Sequence, residues 1–117
     1  MGKLTTHVLD TANGTPAAGM RIDFAAIDGD AVRMVDSVYT NAEGRTGEPL
    51  LTADVMRTGE FQLTFHIGDY FRGRGLALSD PPFLDRVPIR FAIADAAAHY
   101  HVPLLCSPWA YSTYRGS

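Results

Sequence analysis

A chain of 117 residues with 10 basic and 13 acidic side chains has a net charge of −3 and a pI near 5.7. That length makes one domain burying roughly two-thirds of its unfolded surface. No disulfide or metal staple is required, and the scattered basic residues leave no footprint for nucleic acid or an anionic membrane. The single cysteine, Cys106, excludes an intrachain disulfide and a multi-cysteine zinc site. It fits a reducing compartment, and the cytoplasm is the default expectation.

The N-terminus carries no apolar signal segment, and no run reaches transmembrane length. Met1-Gly2 through Thr6 matches the short N-myristoylation pattern, but a strand is predicted to begin at Leu4, which argues against it. From there the recurring period is two. Strands are predicted at Leu4–Asp10, Met20–Ala26, Val32–Thr40, Phe61–Ile67, Val87–Ile93, Tyr100–Cys106 and Trp109–Arg115. Arg45–Leu51 reads as a short edge strand interrupted by Gly47 and Pro49.

Turn signals separate these runs at Asn13-Gly14, Asp28-Gly29, Glu43-Gly44, Thr58-Gly59 and Ser79-Asp80-Pro81-Pro82. One short helix is predicted near Asp69, capping Tyr70 and Phe71, with Gly73 and Gly75 limiting its length. Seven or eight short strands in this length predict an all-β, two-sheet sandwich.

Four histidines carry the candidate chemistry. His66 lies on the polar side of its strand and reads as a solvated surface residue. His99 and His101 are two apart on a strand, so both face one way. His7 sits mid-strand where a sandwich more often places Thr or Val. Taken together they permit a His-x-His zinc site with a third, distant histidine, or metal-free acid–base work near neutral pH. The zinc reading lacks an obvious carboxylate or thiolate partner, and the metal-free one is preferred. Cys106 lies in apolar sequence that would raise its pKa, so it does not read as a nucleophile. The terminal Tyr111–Ser117 segment places two tyrosines and an arginine where a free terminus usually frays, which predicts a docked last strand with a polar rim.

Several segments together resemble one family. They are Leu4-Thr5-Thr6-His7-Val8-Leu9-Asp10 with Gly14-x-Pro16-Ala17, Asn41-Ala42-Glu43-Gly44-Arg45, and Pro82-Phe83-Leu84-x-x-Val87-Pro88-Ile89-Arg90-Phe91. To these add His99-Tyr100-His101-Val102-Pro103-Leu104-Leu105 and the ending Tyr111-Ser112-Thr113-Tyr114-Arg115-Gly116-Ser117. In this order they resemble the 5-hydroxyisourate hydrolases, transthyretin-related enzymes of urate degradation, over almost the whole chain.

The resemblance implies a single domain over 1–117, an eight-stranded transthyretin-like sandwich with one short helix, and a homotetramer built as a dimer of dimers with sites in a central channel. It implies hydrolysis of 5-hydroxyisourate without cofactor or metal, catalysed by His7, Arg45, His101 and Tyr114. It also implies that substrate is bound by His7, Arg45, Tyr114 and Ser117. Hormone-binding transthyretins carry Lys, Glu, Thr and Thr where this chain has His7, Arg45, His101 and Tyr114. A carrier that binds a small aromatic anion without turnover, and a sandwich used only for interaction, are the rivals from other classes.

Overall fold

In the computed structural model, which describes residues 2–116, the period-two segments form two four-stranded sheets packed face to face. The first sheet runs β2 (Thr15–Pro16), β1 (Lys3–Asp10), β7 (His99–Cys106) and β8 (Tyr111–Thr113). The second runs β4 (Ala31–Tyr39), β3 (Arg21–Asp28), β5 (Gly59–His66) and β6 (Arg86–Ile93). Alternation decides which side chains enter the core. Leu4, Thr6, Val8 and Asp10 of β1 turn inward, while Lys3, Thr5, His7 and Leu9 face out. Phe24, Phe61, Leu63, Phe65 and Leu104 fill the space between the sheets, all at most 1% exposed.

β1 and β7 pair in parallel although 94 residues separate Thr5 from His99, with Thr5 beside His101 and His7 beside Pro103. Every other pairing is antiparallel. Two polar side chains on the inward face of β1 are satisfied locally, as burial demands. Thr6 donates to the Val102 carbonyl at 2.7 Å. Asp10 accepts from Asn13 and from the Tyr70 hydroxyl at 2.8 Å. Burial alone would raise the Asp10 carboxyl, and those bonds outweigh it and hold its pKa below the ordinary value.

The structure departs from the sequence reading at several points. The predicted strand over Arg45–Leu51 reduces to two isolated bridges, His7 to Arg45 and Leu4 to Leu51, with the intervening residues looping outward past Gly47 and Pro49. The two-residue strand Thr15–Pro16 had no periodicity to announce it. The last strand is only Tyr111–Thr113, followed by one further bridge between Gly116 and His101. The helix α1 spans Ile67–Arg72, so His66 rather than Asp69 occupies its N-cap position. Gly2 is buried, and a Cβ there would lie 2.1 Å from the Ala96 carbonyl oxygen.

His66 is the clearest correction, since it is 3% exposed rather than solvated. It is the last residue of β5, and α1 begins at the next residue, next to what would be its open face. Its Nε2 lies 2.8 Å from Asp23 Oδ2, while Asp23 Oδ1 accepts from Arg21 at 2.9 Å and Ser37 at 2.7 Å. Burial opposes the Asp23 charge, but the bonds from His66, Ser37 and Arg21 prevail and bring its pKa down to about 2.

A carboxyl with a depressed folded-state pKa stabilises the fold above its unfolded value near 4 and loses that contribution as pH falls towards 2. Asp23→Asn is therefore expected to cost about 1–3 kcal/mol at neutral pH. It should also flatten the fall in melting temperature between about pH 4 and pH 2. Thermal melts across that range check both.

Cys106 is fully buried on β7, and its thiol points at the Leu9 carbonyl 3.6 Å away. Burial, with a smaller contribution from the Asp10 charge, pushes its pKa up to about 12. The expectation of an unreactive thiol holds.

Candidate active site

The outward face of the first sheet gathers the candidate residues. A tight loop delivers Arg45 beside His7. Asn41 Oδ1 accepts from the Glu43 and Arg45 amides at 2.9 and 3.1 Å, and the Asn41 amide donates back to the Arg45 carbonyl at 2.7 Å. Only glycine suits position 44. Its φ is +76°, and a Cβ would lie 2.4 Å from the Val8 carbonyl oxygen, which accepts none of this crowding without moving the strand. The Val8 amide donates to the Gly44 carbonyl at 2.8 Å, locking the loop onto β1.

His7 Nε2 lies 2.9 Å from the Glu43 carbonyl. A carbonyl oxygen only accepts, so Nε2 carries the proton and the neutral ring keeps its lone pair at Nδ1. His101 is held differently. Its Nδ1 is 2.8 Å from the Thr5 hydroxyl, which also meets His99 Nε2 at 2.9 Å. Gly116 backs the ring, since a Cβ there would come within 2.5 Å of His101 Cδ2, and its amide donates to the His101 carbonyl at 2.8 Å. Burial lowers the His101 pKa, and the positive Arg45 with the neighbouring His99 and His7 adds to the effect. The ring is therefore neutral at pH 7, with Nε2 unpartnered among the described residues.

A cleft of about 340 Å³ opens here, lined by Lys3, Thr5, Arg45, Glu48, His99 and His101 among others. The residues Thr46 to Pro49 form one wall, the part of the chain predicted as strand. Two imidazoles, a guanidinium and an ammonium against one carboxylate line it, with His7 on the same outward face beside Arg45, and make a site suited to an anionic, hydrogen-bond-rich ligand. Among the described residues no three His, Cys, Asp or Glu side chains converge as a metal-ligand set.

Of the residues singled out from sequence, His7, Arg45 and His101 come together on this face. Tyr114 shares it by register. Leu104 pairs with Thr113 and His101 bridges Gly116, which places Tyr114 opposite Pro103, the neighbour of His7. Its side chain is 61% exposed, and Tyr114 also borders a second cleft with Ile89, Phe91, Tyr100 and Arg115. Ser117 lies outside the described residues.

The HIUase/Transthyretin family profile matches residues 4–116. The chain belongs to that family. It is 57% identical over 116 residues to 5-hydroxyisourate hydrolase 2 of Rhizobium meliloti, covering 99% of this chain and 97% of that protein. Among solved structures, (S)-allantoin synthase superposes with a TM-score of 0.92 at 46% identity, covering 99% of this chain. This chain spans only 44% of that longer one. Sea bream transthyretin in complex with thyroxine superposes with a TM-score of 0.84 at 25% identity, covering 97% of this chain and 94% of that one.

The HIUase/Transthyretin fold thus holds both a hydrolase and a hormone complex, and fold alone does not choose between them. Side chains must. Sequence reading missed Thr5, whose hydroxyl is the one side-chain group among the described residues that hydrogen-bonds to both His99 and His101. Its only sequence signal was parity, which puts it on the His7 face of β1.

Proposed function

We propose that residues 1–117 form one domain that hydrolyses 5-hydroxyisourate to 2-oxo-4-hydroxy-4-carboxy-5-ureidoimidazoline, a step of urate degradation. The observation that carries this reading is the gathering of His101, Arg45 and His7 on one outward face, where Arg45, His101, His99 and Lys3 line a cleft, on a chain 57% identical to a curated hydrolase of that substrate.

Water must lose a proton as it attacks the ring carbonyl, the carbonyl oxygen gains charge, and the departing nitrogen needs a proton. His101 Nε2 takes the proton from water, because its ring is neutral and that nitrogen is unpartnered among the described residues. His7 is tied through Nε2 to Glu43 and offers only Nδ1, so its part is to orient water or substrate and to assist proton transfer. Arg45 presents a planar, permanent charge to the developing oxyanion. Tyr114 positions substrate through its hydroxyl, and Ser117 contributes to substrate binding.

A homotetramer, a dimer of dimers with this face lining a central channel, would close a cleft that one chain leaves open. The free outer edge of β8 and the exposed Trp109, Tyr111 and Tyr114 support association. No helix among the described residues is long and apolar enough to cross a membrane. The cytoplasm is the proposed compartment, consistent with a lone reduced thiol at Cys106.

Stopped-flow ultraviolet absorbance with freshly generated 5-hydroxyisourate tests the reading. Catalysed decay supports it, while tight binding of substrate without decay points to a carrier. Full activity is expected after exhaustive chelation, with no stoichiometric zinc by elemental analysis. One zinc per chain, with activity lost on chelation and restored by metal, would instead install a His-x-His zinc mechanism.

A further inference from the structure

The Thr5 hydroxyl stands between two imidazoles, 2.9 Å from His99 Nε2 and 2.8 Å from His101 Nδ1. A hydroxyl has one proton to donate and can accept from more than one donor. It can therefore donate to at most one of the two rings, so at least one ring must donate to it. The three groups form a directed chain in which the protonation of one histidine sets the tautomer of the other.

We propose that Thr5 is a positioning residue that accepts from His101 Nδ1–H and donates to His99 Nε2, holding the His101 Nε2 lone pair towards the cleft. This rests on the hydrolase reading for its catalytic consequence, because a base at Nε2 requires the proton to sit at Nδ1. Three observations fix the geometry. Thr5 and His101 are register partners in the parallel β1–β7 pairing, so their side chains rise together from one face. The ring packs against Gly116, where a Cβ would lie 2.5 Å from His101 Cδ2, so only glycine there leaves room for the ring in this position. His99 and His101 rings stand 6.2 Å apart between centroids, too far to bond directly and well spaced for one bridging oxygen.

The chain also gives the proton a destination. When His101 Nε2 takes a proton from water, its Nδ1 proton can pass to Thr5 Oγ1 as the Thr5 proton passes to His99 Nε2. His101 is then neutral again, with its proton at Nε2 ready for the departing nitrogen, and the positive charge rests on His99. No atom is lost or gained, and the charge moves one residue along. Lys3 and Arg45 oppose that charge and Glu48 favours it, all three lining the same cleft.

Imidazole nitrogen chemical shifts measured by NMR at neutral pH test the assignment directly. His101 should show a protonated Nδ1 and an unprotonated Nε2. Thr5→Val keeps the shape and removes the hydroxyl. It should return His101 towards the Nε2–H form and lower kcat by about tenfold to a hundredfold, the usual worth of a partner that orients a functional imidazole. KM should change little, since substrate contacts are untouched. Thr5→Ser should restore both the shift pattern and kcat.

An Nε2–H tautomer in the unaltered chain, or a Thr5→Val variant with unchanged nitrogen shifts and unchanged kcat, would overturn the proposal and leave the hydrolase reading standing. The expected tautomers in a chain that fails to turn over 5-hydroxyisourate would do the reverse, supporting the hydrogen-bonded chain and removing the function.

Discussion

Arg45→Glu is expected to abolish measurable turnover of 5-hydroxyisourate while leaving the sandwich folded. The Arg45 side chain is exposed, and the loop that carries it is held through the Asn41 side chain and backbone groups the substitution keeps. Fold loss is not the reason activity disappears. Removing one oxyanion donor costs on the order of a hundredfold to a thousandfold, and replacing it by a carboxylate also reverses the field. The same charge would repel an electron-rich substrate before chemistry begins.

Deleting Tyr114–Ser117 should be as damaging by another route. It removes the Gly116 amide from the His101 carbonyl and the backing of the imidazole, yet leaves Tyr111–Thr113 paired to β7. Stopped-flow assays alongside circular dichroism separate the two causes. If the site is completed between dimers, dilution should lower specific activity in step with loss of tetramer. A dimer or monomer of undiminished specific activity by sedimentation would sink the channel model alone.

Turnover in His101→Asn should fall by roughly two to four orders of magnitude, the usual worth of a positioned proton-transfer group. His7→Asn is expected in the same range. Asparagine keeps a polar side chain of similar reach, so melting temperatures should stay close to that of the unaltered chain. The two variants should differ in one respect. An amide at position 7 can still donate to the Glu43 carbonyl, so His7→Asn keeps part of the loop contact. At position 101 no amide can supply a basic nitrogen. Near-normal turnover in either variant would return that histidine to a structural role.

Much of this was readable from residue order, and the gaps have physical causes. Seven of the eight strands were located, most of them because one face lies in the core and one outside, although Ala31–Tyr39 and Tyr111–Thr113 are exposed along nearly their whole length. Alternation also put His99 and His101 on one face of their strand. Alternation failed at His66, where a strand ends and a helix begins at the very next residue, making the open side an interior. It failed again at Arg45–Leu51, where two bridges hold the chain without a ladder and the loop between them walls the cleft. Thr5 was invisible for a third reason. Threonine is ordinary in a strand, and only the parallel pairing of Thr5 with His101, 96 residues further on, shows that it stands between two imidazoles.

The buried thiol of Cys106 acquires a use from its address. It lies on β7, paired to Asp10 of β1 on one side and to Tyr111 of β8 on the other, in the strand that carries His99 and His101. A labelling reagent reaches it only when the structure opens around the buried face of β7. Each modified molecule therefore records one opening of the sheet beneath the cleft. The chain carries its own clock for how often that surface comes apart, with no engineered probe.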